Sequence, residues 1–207
     1  MLSVFPYVAV PAFTGDIKLD VQALLYLNNR QETFMHVKAV AETNREIAGQ
    51  YGLDAGICEQ CGYLHDISAV ISPKDMLAYA LKNAWYIDEA ERKHPFLLHQ
   101  RLSREIALQN FGIADERILS AVACHTTLRA NPSTYDMALF IADKLSWDAQ
   151  GTPPFYTAVS DGLKISLEAA SLAYMEYIVA NKMILHPHKW FEEGAEFLRR
   201  KLNAGME

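Results

Sequence analysis

The apolar residues of this 207-residue chain recur mostly three and four positions apart, and no long stretch alternates apolar and polar in the period-2 pattern of a half-buried strand. That spacing restricts the chain to helices. Hydrophobic residues make up 51% and charged residues 21%, an ordinary globular composition, and a chain of this length can bury a core without staples. The reading is one all-α domain over 1–207, with C-terminal helices over 155–207 packed on the part before them.

Helix punctuation supports this layout. Thr14-Gly15-Asp16 precedes a helix over 17–29, a second covers 32–50 and stops before Gly52, and Asp54 caps a third. Ser72-Pro73 matches an N-cap followed by proline and opens a helix to about 83; Pro95 opens another that runs to 111. Asp115 begins the next, and Ser133 or Thr134 caps one that follows the Asn131-Pro132 loop. Beyond the breaker Gly151-Thr152-Pro153-Pro154, helices are expected over 159–182 and 187–203.

Charge and cysteine usage narrow the function classes. A net charge of −6 argues against a protein that holds nucleic acid by neutralising phosphates, while leaving room for a small anionic substrate. The apolar segment 163–185 is interrupted by Lys164, Glu168, Glu176 and Lys182, so no membrane span is expected. Three cysteines, Cys58, Cys61 and Cys124, favour a reducing compartment, and with no signal-peptide pattern the expected location is the cytoplasm. Cys58 and Cys61 lack a second pair and fall on a helix, which favours core packing over zinc.

The residues that carry chemistry are His36, His65-Asp66, His99, His125 and Asp143, each near the core side or the end of a different helix. Imidazole nitrogen and carboxylate oxygen are ligands for Fe, Mn, Co, Ni or Zn, and helices of a bundle can project them into one cavity. Taken singly, each histidine reads as an ordinary core or surface residue. Tyr174, Tyr177, Trp190 and Phe191 read as packing, although a nucleotide pocket could recruit one. His186-Pro187-His188 reads as a helix-start turn.

The order His, His-Asp, His, His, Asp resembles the HD-domain superfamily of metal-dependent phosphohydrolases over roughly 30–148. Local contexts sharpen the likeness: Tyr51-Gly52-Leu53-Asp54, Gly62-Tyr63-Leu64-His65-Asp66-Ile67, Pro95-Phe96-Leu97-Leu98-His99, Phe111-Gly112-Ile113, Ala121-Val122-Ala123-Cys124-His125-Thr126-Thr127 and Ile141-Ala142-Asp143 are similar to the bacterial YqeK-type diadenosine tetraphosphatases. The resemblance implies an HD-type helical bundle in which His36, His65, Asp66 and Asp143 bind a divalent transition metal, most readily Fe, as one or two ions. It implies catalytic roles for Asp66, His99 and His125. His99 and His125 would face the phosphates or a second metal, and Thr126 could donate to a phosphate oxygen.

A transition metal so held lowers the pKa of bound water to about 7 and stabilises negative oxygens on phosphorus. The implied substrate is a nucleotide or dinucleoside polyphosphate, with symmetrical hydrolysis of diadenosine tetraphosphate to ADP as the specific expectation; nucleic acid and membrane are not expected as partners, and a homodimer is an option. Two departures bear on substrate contacts and leave the metal set intact. Ala69 stands where the family carries a lysine, and Asp143-Lys144-Leu145-Ser146-Trp147-Asp148-Ala149-Gln150 replaces a stretch that carries an arginine. Lys144 or Arg129 could supply the missing charge. The alternatives are a noncatalytic nucleotide sensor, disfavoured because all six polar positions are present, and a helical scaffold that binds neither metal nor nucleotide.

Overall fold

The structure is a computed structural model, and it describes residues 1–146 and 151–204. Among these residues all regular structure is helical: α1 (Ile17–Leu27), α2 (Gln31–Tyr51), α3 (Ala55–Leu64), α4 (Pro73–Lys82), α5 (Glu89–Lys93), α6 (His99–Gln109), α7 (Glu116–Cys124), α8 (Thr134–Leu145), α9 (Tyr156–Leu163), α10 (Leu167–Ala180) and α11 (Lys189–Ala204). Short 3₁₀ turns at Leu2–Val4, Ile67–Val70 and Pro95–Leu98 link them. No helix among the described residues is long and apolar enough to cross a membrane.

The expected start signals act as caps. The carboxylates of Asp16, Asp54 and Asp115 and the hydroxyls of Ser72 and Ser133 each accept from a free backbone N–H in the first turn of their helix. Gly52 ends α2 in the left-handed region, φ 65°, where a side chain would be strained.

Helix α3 lies at the centre, packed on α2, α7 and α8, with α6 closing beside α7. Val37, Val40, Leu64, Leu102, Val122 and Phe140 supply the apolar fill, and all three cysteines are buried free thiols. The α2–α3 approach is unusually tight at Gly62, because a Cβ there would stand 2.3 Å from Ala41 Cα.

Two expected elements differ, and one helix is additional. The helix over 95–111 is a 3₁₀ turn followed by α6, which begins at His99. A five-residue helix, α5, was not anticipated; it is fixed by a capping box in which Asp88 and Glu91 satisfy each other's backbone N–H groups. The helix over 159–182 is broken into α9 and α10, because Ser166 caps a new start and Gly162 lets the two helices meet, its absent Cβ lying 2.6 Å from Ala170 Cα. Helix α10 then packs on α8, and α11 packs on α10.

Candidate active site

Five helices deliver the six His and Asp residues. His36 lies in the second turn of α2 and Asp143 in the last turn of α8; His65 caps the C-terminus of α3 with Asp66 next; His99 opens α6; His125 caps the C-terminus of α7. These end positions matter because the last carbonyls of a helix lack intrahelical partners. His65 Nδ1 lies 2.7 Å from Gly62 O, His99 Nδ1 2.6 Å from Phe96 O, and His125 Nδ1 2.9 Å from Val122 O. Each ring donates its Nδ1–H to a carbonyl three residues back, which leaves Nε2 with its lone pair directed inward.

The inward atoms crowd together. His36 Nε2 is 3.2 Å from both His65 Nε2 and Asp143 Oδ1, and His65 Nε2 is 3.7 Å from Asp143 Oδ1 and from Asp66 Oδ2. Asp66 Oδ1 lies 3.3 Å from His99 Nε2 and 3.4 Å from His125 Nε2, which are themselves 2.9 Å apart. Burial pushes His65 below its ordinary range and His125 down to about 4, so both rings are neutral at neutral pH. Burial would raise Asp143, but the Lys144 ammonium, the His36 hydrogen bond and the neighbouring His65 and His125 together hold the carboxyl well below the usual carboxylate range. The result is a set of electron-pair donors with few protons among them.

That set fits a divalent metal. Asp66 Oδ1 is buried and finds no hydrogen-bond partner, and imidazole Nε2 atoms face one another at distances that a cation relieves. His36, His65 and Asp143 form one candidate ligand group, and His65, Asp66 and His125 a second that shares His65. Imidazole nitrogen mixed with carboxylate oxygen suits first-row transition metals. His36 and Asp66 also line an open cleft of about 890 Å³ with Glu32, Thr33 and Met35, and Asp66 lines a smaller hollow of about 310 Å³ with Arg30, Ala69 and Phe96.

Thr126 and Lys144 belong to the same centre. Thr126 Oγ1 is 3.1 Å from His99 Nε2, where its hydroxyl donates. Lys144 Nζ donates to Asp143 Oδ2 and reaches His125 O at 3.4 Å. Arg129 is not brought to the cluster: its guanidinium donates to Ser120 Oγ at 2.6 Å and faces Asp136, a buried carboxylate at the start of α8 that needs a positive neighbour. Residues 147–150 of the altered stretch lie outside the described residues. Gln100 was missed by sequence reasoning; fully buried, its Oε1 accepts from the N–H groups of Thr126 and Thr127 and so places Thr126. The available signal was an uncharged amide directly after His99 on a buried helix face.

The HD domain family model matches residues 33–148, which include every one of the six clustered residues. The chain belongs to the HD-domain family. An uncharacterized protein in the pepC 5' region of Lactococcus lactis subsp. cremoris is 35% identical over 142 residues, 69% of this chain and 72% of that one. Two proteins named symmetrical bis(5'-nucleosyl)-tetraphosphatase are more distant. That of Halalkalibacterium halodurans is 27% identical over 58% of this chain and 64% of its own length; that of Bacillus subtilis is 24% identical over 55% and 60%. The fold is that of a solved structure from Clostridium acetobutylicum described as a predicted HD superfamily hydrolase involved in NAD metabolism, with TM-score 0.77, 21% identity, and coverage of 92% of this chain and all of that one.

Proposed function

We propose that this HD-domain protein is a metal-dependent phosphohydrolase that cleaves a phosphoanhydride or phosphoester of a nucleotide, with symmetrical hydrolysis of a dinucleoside tetraphosphate as the leading specific reaction. The observation that carries the reading is the convergence of six inward His and Asp side chains from five helices, with Asp66 Oδ1 left without a hydrogen-bond partner. Two relatives bear the tetraphosphatase name, which supports the choice of substrate.

His36, His65, Asp66 and Asp143 would hold the metal, which supplies Lewis acidity toward phosphate oxygens and a nucleophile at neutral pH. The protein's own groups do the rest. Asp66 is the acceptor at the centre of the cluster and orients the attacking water. His99 and His125, each fixed by its Nδ1 bond, aim Nε2 at the phosphates; on taking up a proton from water there, which the negative charge of bound phosphate favours, Nε2 would hold a phosphate oxygen or protonate the leaving phosphate. Thr126 offers a neutral hydroxyl to a phosphate oxygen. Lys144 balances negative charge beside Asp143.

The test is turnover by protein reconstituted with Fe²⁺, Mn²⁺ or Co²⁺ on dinucleoside polyphosphates, mononucleotides and cyclic nucleotides. Release of nucleoside diphosphate from the tetraphosphate is the expected result. Folded, metal-loaded protein that turns over none of the panel would end the proposal, and tight nucleotide binding without turnover would favour a sensor.

A further inference from the structure

Thr126 also lines a second pocket, of about 370 Å³, walled by Leu97, Tyr174, Ile178, Met183 and Phe191. Its polar groups sit at intervals around this apolar lining: Thr126, Thr127 and the histidines His94, His186 and His188. The pocket is continuous in wall with the candidate active site at two points. Thr126 Oγ1 is 3.1 Å from His99 Nε2, and the Tyr174 ring centroid is 5.8 Å from Lys144 Nζ, the ammonium that pairs with Asp143.

We propose that this pocket receives the nucleoside part of the substrate while the phosphates lie at the metal-ligand cluster. The inference rests on the nucleotide reading above and assigns the base to residues contributed largely by α10, α11 and the segment between them. A heteroaromatic base has apolar faces and a polar rim, and sites for such groups are mainly apolar with a few placed donors and acceptors. The open cleft beside His36 is a poorer match, because its described lining residues include two carboxylates, Glu32 and Asp66, and no Phe, Tyr or Trp. Met183 and Leu185 remain 51% and 80% exposed at the pocket, so a ligand there would cover apolar surface that the chain itself leaves open.

Two native methionines report on the two clefts separately, Met35 in the open cleft and Met183 in this pocket. In Zn²⁺-loaded protein carrying ¹³C-methyl methionine, with resonances assigned by Met35→Leu and Met183→Leu, ADP and adenosine should both shift Met183. Inorganic pyrophosphate should leave it in place. Met183→Glu should weaken ADP binding about tenfold or more, as expected for loss of a contact to a base, with pyrophosphate affinity unchanged. If adenosine shifts Met35 and leaves Met183 still, the pocket assignment is overturned and the nucleotide reading stands. If neither methyl responds to ADP or to pyrophosphate, the nucleotide reading fails and carries this inference with it.

Discussion

His99 Nε2 and His125 Nε2 face each other across 2.9 Å, while the Nδ1 atoms of the same rings are engaged by Phe96 O and Val122 O. Two lone pairs held in this way repel, and burial disfavours a charged His125. A divalent cation at the cluster removes both difficulties, so metal binding should stabilise the fold. At a hundredfold excess over Kd, Zn²⁺, Mn²⁺ or Co²⁺ should add about 2.7 kcal/mol, or roughly 5–10 °C in Tm, relative to chelator-treated protein. Thermal melts that coincide with and without metal would contradict this account.

Asp66 stands between the two candidate ligand groups, with Oδ1 against His99 and His125 and Oδ2 against His65. Asp66→Asn keeps the shape and removes the charge. Metal content after desalting should fall, and hydrolysis should drop by more than about 100-fold, because even residues behind the ligands are worth 10–100-fold. Retention of both metal and activity would remove Asp66 from the centre.

Lys144 separates a metal-supporting role from a purely substrate-binding one. Its ammonium touches Asp143 Oδ2 and His125 O, so its first effect should be on the cluster. Lys144→Met should lower metal affinity as well as activity, each by about 10–100-fold. A variant with full metal content and only a raised KM would mean that Lys144 meets phosphate alone.

The six clustered positions were legible in the sequence because each falls at a helix end or on an apolar helix face, and chain order preserved their contexts. The caps were legible for the same local reason, as Asp16, Asp54, Ser72, Asp115 and Ser133 show. What stayed hidden depends on partners distant in sequence. Arg129 stands as a phosphate contact by its charge alone in the sequence, yet its neighbours are Ser120 and the buried Asp136. The break between α9 and α10 hinges on Gly162 meeting Ala170, which helical periodicity does not register. The pocket beside Thr126 is assembled from residues near 95, 126, 175 and 185, so no single stretch announces it.

Glu91 joins the C-terminal helices to the core: it is fully buried, pairs with Arg101 of α6 and faces His188 just before α11. Burial would raise its carboxyl, but His188, the Asp88 N–H and Arg101 together hold it below its ordinary value of 4.5. A depressed folded-state value means that the ionised group stabilises the protein above about pH 4.5 and that this contribution is lost on acidification. Glu91→Gln should therefore cost about 1.5–3 kcal/mol at pH 7. The gap between variant and wild type in urea unfolding should narrow below pH 4.5. A gap of equal size at pH 7 and pH 3.5 would show that packing, not charge, is what Glu91 contributes.

Gly62 links packing directly to the metal-ligand cluster. A Cβ there would lie 2.3 Å from Ala41 Cα and 2.5 Å from Ala41 N, both backbone atoms of α2 that no rotamer change can move aside. The same residue's carbonyl accepts from His65 Nδ1 and sets the direction of His65 Nε2. Gly62→Ala must push α3 from α2, the two helices that hold His65 and His36 with their Nε2 atoms 3.2 Å apart. Overpacking of this kind costs about 1–3 kcal/mol or more, which for a chain of this size lowers Tm by roughly 3–10 °C. Metal affinity should fall with it, since ligands must be held to within about half an ångström. Gly49 in α2, whose Cβ would meet nothing within 4 Å, is the control: Gly49→Ala should leave both Tm and metal affinity undiminished. Equal behaviour of the two variants would show that the α2–α3 approach does not set the geometry of the site.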